Sequence, residues 1–397
     1  MADTVLEEIP LLLEDVNDEM VALRHELHAY PELSFEEVRT SALIIQRLTD
    51  LGWELFDSPT PTGAVAKLRG AAPGKRILLR ADIDALPVHE EVDVSYRSRH
   101  DGVMHACGHD VHTAALLGVA DLLARRRDQL CGEYTLVFQP AEEGLGGARA
   151  MIEGGLLREH PADFALGIHV TSLAPVGLVT AREGVMMSEA CAFTVTLRGK
   201  GGHGAMSSAD GNVVLALSAL APRLGDVVDA LSYEGANCAC SAGVLAAGTA
   251  NNVVPREATL RGTIRTFTAE QVVETRARLT ALLDELAATF GVSYQLGFGE
   301  SVPAVENDPY VTQVALDSAR SIVGAANVLS LPPVSPSDDV AEFWRRVPGC
   351  YLFVGGARAD GTSGTHHSPD FSVDDGACRV AAGVLAHGAI SLARLAS

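Results

Sequence analysis

Met104-His105-Ala106-Cys107-Gly108-His109-Asp110-Val111-His112 packs one thiol, three imidazoles and a carboxylate into nine residues. No other stretch of the 397 residues is as dense in groups that bind transition metals. Cys107 and His109 stand two apart with a glycine between them, a spacing that lets both side chains point to one side of an extended or turning backbone. The apolar run Thr113 to Ala124 reads as a buried helix. The cluster therefore sits at a helix N-terminus, where unpaired N–H groups and the dipole favour an anion such as a thiolate. A single Cys near a single His is often just a small buried hydrophobe at a helix cap, so partners elsewhere in the chain must decide.

Those partners stand at strand ends. Arg76–Leu79 reads as a strand running into Arg80-Ala81-Asp82, Tyr134–Phe138 as one ending in Gln139-Pro140-Ala141-Glu142-Glu143, and Phe164–Ile168 as one ending in His169. Leu352–Val354 is a later strand closed by Gly355-Gly356. Short apolar strands separated by helical segments belong to a parallel sheet. Ligands of such sheets lie outside the carboxyl ends of the strands. Three strands delivering Asp, Glu-Glu and His to one edge favour a metal site at Cys107 and His109.

The helices around them follow from periodicity. Val16, Met20, Leu23 and Leu27 lie at helical spacing within residues 14–29, and Tyr30-Pro31 ends that helix. Ser34 with Glu37 three later resembles a capping box, opening a helix that runs to about Leu51. From about Glu183 the texture changes to alternating strands, with helices expected from about Asn212 to Leu231 and over 270–291. The expected fold is α/β: a mixed, mostly parallel sheet with helices on both faces, formed by residues 1–184 and 301–397. A smaller α+β, ferredoxin-like domain of residues 185–300 interrupts it.

Composition narrows the class. The net charge of −21 argues against nucleic acid or an anionic membrane surface as partner. Seven cysteines in no framework pattern read as reduced thiols. The acidic start Met1-Ala-Asp-Thr-Val-Leu-Glu-Glu shows no signal peptide, and no apolar run reaches the roughly 18 residues of a membrane span. The expectation is a cytoplasmic enzyme.

A Glu-Glu pair beside a metal offers two roles. One carboxylate can ligate while its neighbour takes a proton from water made acidic by the metal. Gly364-Thr365-His366-His367-Ser368-Pro369 supplies a further His in a loop. Mixed thiolate, imidazole and carboxylate donors suit zinc, cobalt, nickel or manganese better than magnesium or calcium. Two rivals remain open: a cysteine hydrolase with Cys107 as nucleophile and His109 as base, and a non-catalytic metal-binding dimer.

Seven motifs in order carry a resemblance over nearly the whole chain: Arg80-Ala-Asp82-Ile-Asp84-Ala-Leu-Pro87, Met104 to Asp110, Gln139-Pro-Ala-Glu142-Glu143, Gly167-Ile-His169, Gly199-Lys-Gly-Gly-His203, Asn252-Val-Val-Pro255 and His367-Ser-Pro369. The chain resembles the aminoacylase and hippurate hydrolase branch of the dinuclear metal amidohydrolases, which includes the auxin–amino acid conjugate hydrolases and is related to the glutamate carboxypeptidases. The resemblance implies that Cys107, His109, Glu143, His169 and His367 hold two divalent ions per subunit, zinc or manganese before cobalt or nickel. It makes Glu142 the general base and Asp82 a residue that orients a ligand. The insert becomes a lid and dimerisation domain, with His203 and Asn252 reaching the scissile carbonyl and Arg265 binding a substrate carboxylate. The implied reaction is hydrolysis of an N-acyl amino acid by a homodimer, with a carboxypeptidase or dipeptidase as the near alternative. Relatives often carry Gly-Ser-Glu-Asp-Phe where this chain has Pro336-Ser337-Asp338-Asp339-Val340, a departure that bears on the pocket beside that loop.

Overall fold

The computed structural model describes residues 2–144 and 146–394, which form two compact units. The first comprises residues 1–184, 306–331 and 339–397, and the second 185–305 with 332–338. The return to the first unit thus falls at Glu306 rather than at 301, and the segment 332–338 belongs to the insert.

In the first unit, the strands β1 (Glu54–Phe56), β2 (Ala64–Arg69), β3 (Ala72–Asp82), β4 (Cys131–Gln139) and β5 (Phe164–Pro175) join Gly349–Ala357 and two short strands. The order is β1-β2-β4-β3-β5, then Gly349–Ala357, Val179–Thr180 and Val328–Leu329. β4, β3, β5 and Gly349–Ala357 run parallel, while β1 and β2 are antiparallel additions at one edge. Leu166 packs on Gly388 of the helix Gly376–Ala393, and Gly167 lies against Trp344 of the helix Ala341–Trp344. Successive strand residues face opposite sides, so helices cover both faces.

Three helices set the site's foundation: α1 (Ala2–Ala29), α2 (Val38–Asp50) and α3 (His109–Arg125). Every residue of α3 from His109 to Leu123 is buried. Burying each of its leucines contributes roughly 1.5–3 kcal/mol. A methyl at Gly118 would come within 2.1 Å of Met20 Sδ, so the glycine is what lets α1 and α3 approach. Gly376–Ala393 is long and apolar enough to cross a membrane by length and composition, contrary to the reading that no such run exists. Thirteen of its residues are buried, and its apolar surface is spent on the core.

The second unit is a β-α-β-β-α-β arrangement. Its antiparallel sheet has the order Ala239–Ala247, Glu257–Thr266, Glu189–Arg198, Ser293–Val302. The helices Val213–Leu220 and Ala269–Phe290 share one hydrophobic cluster with the sheet, in which Phe193, Val195 and Leu197 alternate inward toward Leu217, Leu279 and Leu283. The helix expected from Asn212 to Leu231 stops at Leu220. Two short 3₁₀ turns follow, because Pro222 cannot extend an α-helical ladder.

Candidate metal centre

β3 ends at Asp82, β4 ends three residues before Glu142, His169 lies within β5, and α3 begins at His109. The turn between Cys107 and His109 is made by Gly108 at φ 92°, where a methyl would sit 2.3 Å from Val170 Cγ1. Only glycine fits there. Cys107 Sγ stands 3.4 Å from His169 Nε2 and 3.7 Å from His366 Nδ1. Donor atoms of Cys107, His169 and His366 lie within 4.8 Å of one another, and so do those of Cys107, His109 and Glu143. Cys107 is common to both sets.

The imidazoles are aimed by their outer nitrogens. His109 Nδ1 donates to the Asp84 carbonyl at 2.9 Å, and His169 Nδ1 to the Val170 carbonyl at 2.6 Å. Each ring therefore turns a lone pair on Nε2 toward the cluster, the tautomer a metal requires. His109 Nε2 is buried with no hydrogen-bond partner among the described residues. It faces carboxylate oxygens of Asp82 at 3.7 Å and of Glu142 and Glu143 at 4.0 Å. A buried polar nitrogen without a partner is costly, and a cation would satisfy it. The donor set thus fits divalent transition ions. His112 is already committed, with Nδ1 2.5 Å from Asp82 Oδ1 and Nε2 accepting the Val170 N–H at 2.8 Å.

Charge states follow from the same packing. Burial alone would raise the Asp82 carboxyl, but Arg80, His109 and His112 hold it well below the usual range. Burial pushes the Cys107 thiol up, against the opposing pull of His109 and His367 beside it. An unassisted Cys107 is therefore a poor nucleophile, which weakens the cysteine-hydrolase rival. Burial and the neighbouring His112 and His366 keep His169 far below its ordinary value, in the neutral form that ligates. Hydrogen bonding to Cys107 and then to Glu143 pushes His367 up to about 10.

Both histidines of the late loop reach the centre. His367 Nε2 lies 3.2 Å from Glu143 Oε1, and its own N–H docks on the Ala106 carbonyl at 2.8 Å. His367 has φ 65°, a left-handed conformation that is strained for a non-glycine residue. His366, which the resemblance leaves outside the ligand set, lies on the Cys107–His169 side.

Three further residues escaped the sequence reading. Asp84 accepts the Glu142 N–H on Oδ1 at 3.1 Å and the Glu143 N–H on Oδ2 at 3.0 Å. Its only signal was its place two residues beyond Asp82 at the end of a buried strand. Arg80, fully buried, donates to Gln139 at 2.8 Å, Asp82 at 2.7 Å and Asp339 at 3.2 Å. Asp339 also accepts from Gln139 Nε2 at 2.7 Å and the Ala148 N–H at 3.0 Å. In the departing Pro336–Val340 segment, then, this carboxylate has structural work.

His203, Asn252 and Arg265 belong to the second unit. Gly202–His203 pairs with Val253–Val254, and the Asn252 carbonyl accepts the Gly204 N–H at 2.8 Å, so this ladder brings His203 and Asn252 together. Both are exposed. Arg265, on the sheet, donates to the Ser335 carbonyl and to Ser337 Oγ, each at 3.1 Å.

Residues 78–390 match the model of peptidase family M20/M25/M40. The chain belongs to that family. It is 35% identical over 383 residues to thermostable carboxypeptidase 1 of Saccharolobus solfataricus, covering 95% of this chain and 96% of the relative. It is 34% identical to an N-acetyl-L-cysteine deacetylase of Bacillus subtilis, covering 92% and 86%. A crystal structure of the Bacillus subtilis YXEP protein, described as a dinuclear metal binding peptidase from the M20 family, superposes with a TM-score of 0.82 at 30% identity, covering 96% and 99%. This M20 chain is accordingly a metal-dependent hydrolase of the amidohydrolase and peptidase kind, with a mixed α/β fold.

Proposed function

We propose that the protein hydrolyses the amide bond of N-acyl amino acids. The observation that carries this reading is the pair of donor sets sharing Cys107, beside a Glu142-Glu143 pair whose backbone is fixed by Asp84. Cys107, His109, Glu143, His169 and His367 would hold two divalent ions, with His366 a further donor on the His169 side. Zinc and manganese suit this mixture of sulfur, nitrogen and oxygen. When bound, such ions polarise a carbonyl and acidify water.

The chain's own residues do the rest. Glu142 takes a proton from the attacking water and delivers it to the leaving amine nitrogen, so that water and amide become acid and amine. The Ala205 N–H donates to His203 Nδ1 at 3.1 Å, which leaves the ring's proton on Nε2, ready to donate to the carbonyl oxygen as charge builds there. Asn252 supports that oxygen, and Arg265 pairs with the substrate's free carboxylate. The deacetylase among the relatives supports this substrate class, while the carboxypeptidase supports a peptide substrate as the second reading.

We also assign a second copy of this chain as partner. Ala239–Ala247 is the edge strand of its sheet, uncharged, and exposed from Ser241 to Ala247. An open apolar edge of that kind is covered in working proteins. Sedimentation equilibrium with Leu245→Lys, against wild type, should show a shift from dimer to monomer. The seven free thiols support a reducing, cytoplasmic setting.

The first experiment is metal stripping followed by re-addition of each divalent ion, with N-acetyl, N-benzoyl and long-acyl amino acids and dipeptides as substrates. Metal-restored release of amine from the acyl amino acids supports the proposal. Cleavage confined to dipeptides moves the assignment to the peptidase reading, and cleavage that survives stripping overturns the metal mechanism.

A further inference from the structure

Ser34-Phe35-Glu36-Glu37 has the spacing of a capping box, and α2 does begin at Val38, yet neither side chain caps it. The first-turn N–H groups of Arg39 and Thr40 donate instead to the Glu32 carboxylate, at 3.0 and 2.8 Å. Ser34 and Glu37 turn away from their own helix. Ser34 Oγ donates to Asp84 Oδ2 at 2.7 Å. Glu37 Oε1 accepts the Ala141 N–H at 2.9 Å, and Oε2 accepts the Thr62 hydroxyl at 2.6 Å.

Ala141 is where the chain leaves β4 and swings into Glu142. Its φ of 55° is left-handed, a conformation that costs a non-glycine residue free energy and persists only where surroundings impose it. Glu37 holds the amide of that residue. It is fully buried, and a buried carboxyl is expensive to keep. Its carboxylate is held by the Thr62 hydroxyl and the Ala141 N–H, and the second of these contacts lies on the route to Glu142.

We propose that Glu37 and Ser34 are positioning residues: they pin the strained turn at Ala141 and the Asp84 carboxylate, and so fix where the Glu142 and Glu143 side chains stand. The proposal rests on the hydrolytic reading above. The grip on Ala141 needs an acceptor, not a charge. In Glu37→Gln the amide oxygen can take the Ala141 N–H while the Thr62 hydroxyl turns round to accept from the new NH₂ group. Glu37→Ala leaves the Ala141 N–H unsatisfied.

The test uses the full-length, metal-loaded protein. Glu37→Ala should lower kcat on the order of ten-fold or more with KM changed less than about two-fold, because a misplaced base loses the transition state and not the substrate. Its zinc affinity, read by competition with a chromogenic chelator, should weaken by about ten-fold as Glu143 shifts. Glu37→Gln should keep kcat within about three-fold. Ala141→Gly added to Glu37→Ala should recover part of the loss, since glycine takes the left-handed turn unaided. If Glu37→Ala does not fold, Glu37→Asp, one methylene short of the amide, is expected to show the same two losses. A Glu37 variant with lowered Tm but unchanged kcat and zinc affinity overturns the proposal, and so does a Glu37→Gln as impaired as Glu37→Ala. Wild type and Glu142→Gln assayed alongside separate the failures: no hydrolysis by the metal-loaded wild type overturns the hydrolytic reading, turnover surviving in Glu142→Gln overturns the base assignment, and an inactive Glu142→Gln with an unimpaired Glu37→Ala overturns the clamp alone.

Discussion

Asp82 and His109 are at most 1% exposed, whereas His203 and Asn252 stand open to solvent on a two-residue ladder. At the first region the groups that aim the site are committed before any substrate arrives. Asp82 is held by Arg80 and His112, His109 by the Asp84 carbonyl, and Glu142 and Glu143 by the Asp84 carboxylate. At the second, His203 is oriented by one short-range bond from Ala205 and little else. The difference is one of electrostatic task. Ligands that must share a small volume with other charges need burial and outer partners to hold their ionisation and aim. On the proposed mechanism His203 is a neutral donor that meets charge only during the reaction, and such a group can wait exposed at little cost in stability.

That contrast predicts different signatures on mutation. The largest effect belongs to Glu142→Gln, which removes the proposed base and keeps its shape. Turnover should fall by about 10²–10⁴-fold, with the metal content by elemental analysis unchanged. Near wild-type turnover would show that the buried region holds the base elsewhere. His203→Ala should lower kcat by roughly 10²-fold, yet shift the urea midpoint by less than about 0.5 kcal/mol equivalent, as exposed sites do. A large stability loss there would erase the distinction drawn between the two regions.

Asp82→Asn acts in the opposite sense. The amide cannot accept from both Arg80 and His112, and the carboxylate charge that faces the His109 and His112 rings is lost. Metal affinity should weaken by about 10–100-fold, while the rate per metal-loaded molecule changes less. Paired His366→Ala and His367→Ala variants sharpen the same region. Removing His367 should weaken the ion beside Glu143, and removing His366 the ion beside His169. Separate binding isotherms for the two sites would read this.

The sequence made the buried region legible because its chemistry rides on regular elements. Asp82 closes β3, Glu142 follows β4 and His169 lies within β5, strands whose parallel pairing brings these positions together, and Cys107 and His109 stand at the start of a buried, largely apolar helix. What it concealed depends on long-range partners. Ser34 and Glu37 satisfied a local capping pattern, yet Glu32 took the cap and freed them for residues 50 and 104 positions away. His366 and His367 are adjacent, and with His367 at a positive φ the His366 ring approaches Cys107 while the His367 ring approaches Glu143. Pro222 was visible, but the apolar run around it masked the break.

The smallest effect tests how far the buried region's electrostatics extend behind the site. Asp110, next to His109, accepts from Arg24 Nε at 3.2 Å and from His28 Nδ1 at 2.9 Å, and His28 Nε2 meets Glu90 at 3.2 Å. Burial opposes the charge on His28, but Asp110 and Glu90 raise it from 6.5 to about 9. A folded pKa above the unfolded one means that the stabilisation is fully present below about 6.5 and is lost as pH rises through about 9. His28→Gln should therefore cost most near pH 6. In urea titrations of the metal-stripped protein, the gap between wild type and variant should narrow steadily between those two values. A gap independent of pH would mean that His28 stabilises the α1–α3 contact by packing alone, and that the charge network ends at Asp110.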